Sequence, residues 1–85
     1  MEYILTHNLN GAEYDFICSS MQEVKARVSQ IIIANKKNIE LGVMRDLTLK
    51  DWYDKDGVLT CEFSICEKDG RKNHHIFQMR EKSYF

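Results

Sequence analysis

The sequence predicts an α+β fold: a two-layer sandwich, ββαβββ, with one helix packed on one face of an antiparallel sheet of about five strands. Three observations carry this expectation. Ser20 to Asn38 has a helical cap followed by a helical apolar stripe. Ahead of it, Asn10-Gly11 separates two short alternating segments. Behind it, Lys55-Asp56-Gly57 and Lys68-Asp69-Gly70 divide the chain into three more. With 85 residues and 44% apolar content, residues 1–85 make a single domain with one core.

The first hairpin spans Glu2 to Leu9 and Ala12 to Cys18. Both central residues of a type I′ turn need positive φ, which Asn-Gly adopts at least cost. A two-residue loop pairs Leu9 with Ala12, His7 with Tyr14, Leu5 with Phe16 and Tyr3 with Cys18, and these residues are expected to share the core face.

In the helix, the Ser20 hydroxyl is placed to accept from the Glu23 amide, and the Glu23 carboxylate to reach back. Met21, Val24, Val28, Ile31 and Ile32 form the stripe. This pattern outweighs the β-branched run Ile31-Ile32-Ile33. Lys36 and Lys37 suit the negative end of the helix dipole, and Asn38 is expected to take the left-handed cap. Ile39 to Arg45 reads as a connection.

Three strands follow, near Asp46–Asp54, Val58–Glu67 and Arg71–Arg80. Three-residue loops set Leu49 opposite Phe63, Leu47 opposite Ile65 and Tyr53 opposite Leu59. In the last hairpin they set Cys61 opposite Phe77, Leu59 opposite Met79 and Glu67 opposite Arg71. Two-residue loops would instead place Lys50 opposite Phe63, so burial favours three. The expected strand order is 2-1-3-4-5, with the alternative that the third meander strand lies against the first.

Composition narrows the function. A net charge of −1 argues against a protein held on duplex DNA by phosphate neutralisation. The charge is nevertheless blocked: residues 1–24 hold four acidic residues and no Lys or Arg. The first residues lack the pattern of a secretory signal, and no apolar run is long enough for a membrane. Three cysteines without metal-site spacing suit a reduced, cytoplasmic protein.

No cofactor or metal is expected. The acidic run around Gly57 resembles a calcium loop, but Trp52 and Phe63 fall at obligatory ligand positions. His74 and His75 are adjacent on a strand and point to opposite faces, so they cannot share a metal. Ser64 opposite His74 could pair a hydroxyl with a base, yet no orienting group or oxyanion hole can be named. Cys66 opposite Lys72 is an equally weak pointer to a reactive thiol.

Two surfaces remain. The outer strip of the helix carries Ala26, Ser29, Gln30 and Ile33, where a solvated face ordinarily carries several Lys and Glu. The sheet face away from the helix is expected to carry Ile4, Ile17, Trp52, Lys72, His74, Ile76 and Arg80. A tryptophan among aliphatics on such a face marks an interface.

The expected function is therefore a small non-enzymatic protein-interaction module. It would act as an inhibitor, adaptor or regulator by docking on another protein, or on itself as a homodimer. Size and plain chemistry of this kind suit accessory proteins of phages or mobile elements. RNA or single-stranded DNA binding through Lys72, His74 and Arg80 beside Trp52 is the disfavoured alternative. A small ligand-binding protein or enzyme completed at an oligomer interface is a third reading.

Overall fold

The computed structural model of the chain describes residues 2–42 and 44–82. Five strands and one helix follow in the expected sequence: β1 (Tyr3–Leu9), β2 (Ala12–Cys18), α1 (Met21–Glu40), β3 (Met44–Lys55), β4 (Val58–Glu67) and β5 (Lys72–Glu81). They form one antiparallel sheet in the order β2-β1-β5-β4-β3. The expected order 2-1-3-4-5 is thus replaced by its alternative, with the third meander strand against the first. Burial explains the choice. Strand β5 buries His75, Phe77 and Met79 on one face, which requires neighbours on both sides. The exposed Lys50, Asp51, Asp54 and Lys55 of β3 suit an edge instead.

The first hairpin has the expected register, from Tyr3 opposite Cys18 to Leu9 opposite Ala12. Asn10 and Gly11 take φ of 53° and 95°, as a type I′ turn demands. The core expectation holds for Leu5, His7 and Cys18 but fails for the rest of β2, where Ala12 to Ile17 are exposed. β2 is an edge strand with a neighbour on one side only, and its helix-side Tyr14 and Phe16 remain 53% and 37% exposed. The Phe16 ring is shielded on one side by the Arg27 guanidinium, 5.4 Å from its centroid.

Helix α1 starts as the cap predicts: Ser20 is extended and its hydroxyl accepts from the Glu23 amide at 3.1 Å. The Glu23 carboxylate reaches one residue further back than a capping box requires. It accepts from the Ser19 amide at 2.8 Å and the Ser19 hydroxyl at 2.6 Å. These hydrogen bonds lower its pKa. The other end overturns the expected Asn38 cap. The helix continues to Glu40, Leu41 caps it, and Gly42, at φ 75°, supplies the left-handed residue. Asn38 has a Cβ that costs energy in that conformation; Gly42 has none.

The β3–β4 hairpin departs from expectation in an informative way. Its loop has two residues, Asp56 and Gly57, at φ 55° and 82°, closing on Lys55 opposite Val58. Tyr53 therefore faces Thr60 and not Leu59. Further along, Leu49 faces Phe63 and Leu47 faces Ile65, as burial demands. Asp51 and Trp52 together span the interval opposite Cys61, a β-bulge that reconciles the two registers. The β4–β5 hairpin needs no such correction: Leu59 faces Met79, Cys61 faces Phe77, and the Glu67 amide donates to Arg71 across a three-residue loop.

The core gathers Leu5, Cys18, Val24, Val28, Cys61, Phe63, Phe77 and Met79 between helix and sheet. Tyr3, Ile31, Ile32, Leu47, Trp52 and Leu59 pack around it. Val24 and Val28 are fully buried, whereas Met21 at the start of the stripe stays exposed. Each fully buried apolar side chain contributes on the order of 1.5–3 kcal/mol.

Candidate functional site

The bulge in β3 determines the most distinctive surface. By inserting one residue, it turns Trp52 to the helix side of the sheet, where its ring packs against the core. Trp52 is therefore not on the outer sheet face, contrary to its expected place. There it forms one wall of a cleft of about 240 Å³ between α1 and the β3 edge. Leu49 and Asp51 complete that wall; Ser29, Ile32, Ile33 and Lys36 form the opposite one. Val28 and Cys61 lie at the base. Ile33 is 57% exposed and Leu49 43%, so apolar groups stand at both lips.

This cleft brings part of the helix strip and the displaced tryptophan together. Ser29 and Ile33 border it; Ala26 and Gln30 are exposed but lie outside it. Among the cleft residues, Lys36 and Asp51 carry the charge and leave no strong sign. The lining is thus an apolar centre of Ile32, Ile33, Leu49 and Trp52 with Ser29, Lys36 and Asp51 as its polar members.

The outer sheet face retains Ile4, Ile17, Lys72, His74, Ile76 and Arg80, but they are spread out. Ile4 lies between Ile17 and Arg80. Ile76 lies between Asn8 and Glu62. Lys72, with Cys66 as its neighbour, is at the far end of β5. Cys66 itself is buried. Tyr53 takes the outward place vacated by Trp52, and it is occupied: Lys50 lies 4.1 Å from its ring centroid and its hydroxyl donates to Glu62 at 3.2 Å. Burial and the Glu62 carboxylate raise its pKa.

Ser64 and His74 meet as the register predicts, with Oγ and Nδ1 2.8 Å apart. They lie in a shallow depression of about 200 Å³ with Thr48, Lys50, Glu62 and Ile76. Among the described residues no third side chain orients the imidazole. Its backbone is instead tied to the first turn, where Asn10 Oδ1 accepts from the His74 amide at 2.8 Å. This is the bonding of a cross-strand polar pair that positions a hairpin tip.

A pair of histidines escapes the sequence entirely. His7 Nε2 and His75 Nδ1 are 2.9 Å apart, inside the helix-side layer. His75 stacks on Phe63 at 4.2 Å between centroids, and His7 on Phe77 at 4.4 Å. Burial, then the charges of His7 and His74, push the His75 pKa down to about 4. Burial also lowers that of His7. Residues 7 and 75 become neighbours only through the β1–β5 pairing, so nothing local in the sequence links them. Among the described residues, no three His, Cys, Asp or Glu side chains are grouped to hold a metal ion.

The Trp52 cleft, by contrast, had a usable signal. Asp56-Gly57 asks for a two-residue loop while Leu49 and Phe63 ask for a three-residue register. Both are satisfied only if one extra residue enters β3 between them.

No family model matches the chain, and neither a curated protein nor a solved structure is similar to it.

Proposed function

We propose that this chain is a small non-enzymatic interaction module that docks on another protein through the cleft between α1 and the β3 edge. In that role it serves as an inhibitor, adaptor or regulator. The observation that carries the reading is the juxtaposition of exposed Ile33 and Leu49 over half-buried Trp52, with Lys36 and Asp51 at the margin. An aromatic anchor flanked by aliphatics, on a helix strip poor in charge, has the composition of an interface centre. Three free cysteines are compatible with work in a reducing, cytoplasmic setting. No described helix is long and apolar enough to cross a membrane.

Nucleic-acid binding by the outer face is the weaker reading. Trp52, its stacking group, lies on the other side, and Tyr53 is engaged by Lys50 and Glu62.

The test is affinity capture from the native host with wild-type, Ile33→Asp and Leu49→Lys proteins, read by mass spectrometry. Both residues are exposed, so the variants should retain the wild-type circular dichroism and melting temperature within a few degrees. A specific partner should be retained by wild type and lost from both. If the two variants capture the same partner as wild type, the cleft is not the docking surface. Light scattering on the same three proteins distinguishes a foreign partner from a homodimer that uses this surface.

A further inference from the structure

The two edges of the sheet are protected to different degrees. The β3 edge has the features that discourage strand addition: two register irregularities and exposed lysines at Lys50 and Lys55. The β2 edge has none of them. It pairs with β1 through seven unbroken residues, contains no Pro, Lys or Arg, and exposes everything from Ala12 to Ile17. We propose that the β2 edge is a strand-addition site for an extended segment of a partner protein in which basic and apolar residues alternate. This surface lies at the opposite edge from the α1–β3 cleft, so the proposal goes beyond the cleft reading and does not depend on it.

The backbone supplies the ladder. In a two-residue hairpin the closing pair, here Leu9 and Ala12, is hydrogen-bonded, and bonded and non-bonded pairs then alternate. Ala12, Tyr14, Phe16 and Cys18 accordingly turn their amides and carbonyls toward β1. Glu13, Asp15 and Ile17 turn theirs outward, ready to pair with an added strand.

Side chains set the kind of segment. The outward row of β2 is Glu13, Asp15 and Ile17, two carboxylates and a 55% exposed isoleucine. The Thr6 hydroxyl donates to Asp15 at 2.7 Å and holds that carboxylate in place. The helix-side row offers Tyr14, 53% exposed, and Phe16, 37% exposed. Arg27, the cation over the Phe16 ring, lies on the helix side and is engaged by Glu23 at 3.8 Å, so it leaves the outward row acidic. Cross-strand pairing therefore favours Lys or Arg opposite Glu13 and Asp15 and apolar groups opposite Tyr14 and Phe16. The same charges oppose a second copy of this chain in the registers that align the two acidic rows, and the register centred on Phe16, which sets Asp15 against Ile17, pairs only residues 14–18 of β2. A two-fold pairing centred on Asp15 sets that carboxylate against its own copy, and one centred on Tyr14 sets Glu13 against Asp15.

The probe is a pair of synthetic peptides of about ten residues, one alternating lysine with valine and tyrosine, the other with glutamate replacing lysine. Fluorescence anisotropy with the full chain should show the lysine peptide binding at least about tenfold more tightly, an advantage that shrinks at high salt. The Glu13→Lys/Asp15→Lys variant should invert the preference. Glu13→Pro removes an outward amide without costing a β1 hydrogen bond and should abolish binding. N-methylation of alternate peptide amides should do the same with the protein unchanged. Bound lysine peptide should also slow hydrogen exchange at the Glu13, Asp15 and Ile17 amides. The proposal fails if neither peptide binds, if both bind alike, or if binding survives backbone methylation. It fails equally if light scattering shows a dimer that Glu13→Pro dissociates, since the edge would then serve a second copy.

Discussion

His7 Nε2 and His75 Nδ1 are 2.9 Å apart in a layer of rings, with Phe63 against one imidazole and Phe77 against the other. Only one proton can occupy the line between the two nitrogens, so the hydrogen bond requires at least one of them to accept. Protonating both imidazoles breaks it and leaves two like charges among aromatic rings.

Stability should consequently fall in mild acid. Both imidazoles titrate near 6.5 in the unfolded chain. In the fold His75 is held down to about 4, and His7 is lowered too. Between pH 6.5 and 4 the unfolded chain therefore binds more protons than the folded one. The stabilisation is complete above pH 6.5 and is lost as the pH falls through 4. From pH 7 to 5 the loss is about 1–2 kcal/mol, the lower figure allowing for solvent screening at the sheet's end. Thermal unfolding should show a melting temperature roughly 5–10 °C lower at pH 5. The His7→Phe/His75→Phe variant, which removes both partners together, should have a flatter pH profile; an unchanged slope would assign it to other groups.

Trp52 contributes to folding as well as to the cleft. Because its ring packs against the core, Trp52→Ala should cost about 2 kcal/mol, read as a lower urea midpoint at unchanged slope. Native fluorescence should be blue-shifted and only partly accessible to acrylamide. Emission like that of free tryptophan would place the ring in solvent and remove the cleft wall.

The cysteines should resist alkylation in the native state. Burial, then the charges of Asp51 and Glu62, push the Cys61 thiol up to about 11. Burial and the Glu23 charge raise Cys18, against an opposing effect of Arg27. Iodoacetamide at pH 8 should label these two at least about a hundredfold more slowly than in urea. Peptide mapping by mass spectrometry reads each site, and rapid native labelling of Cys61 would show that β4 opens locally.

Legibility in the sequence followed the range of the interaction. The Asn10-Gly11 turn, the Ser20 cap and the register of the last hairpin depend on residues close in sequence, and the structure has each of them as the sequence predicts. The helix terminus is ambiguous in the sequence because Asn and Gly both adopt positive φ more readily than other residues, and Asn38 and Gly42 lie four apart. What selects Gly42 is a further turn of helix ending in Ile39, Glu40 and Leu41. Strand order was underdetermined because alternation reveals which face is buried but not which edge is covered. The same gap hid the histidine pair, which requires β1 beside β5. The bulge is hidden for another reason: neither loop length alone fits the whole hairpin, which satisfies one near the turn and the other beyond Cys61.

The place of β5 in the middle of the sheet has a consequence for how the chain is made. Ribosomal synthesis delivers this segment after the other four strands, yet it joins the β1–β2 pair to the β3–β4 pair. A nascent chain halted before residue 72 holds two hairpins with no ladder between them and lacks Phe77 and Met79 from the common interior. The sheet therefore cannot close before β5 has been made, and closure across residues 3–81 is expected to be its slow event.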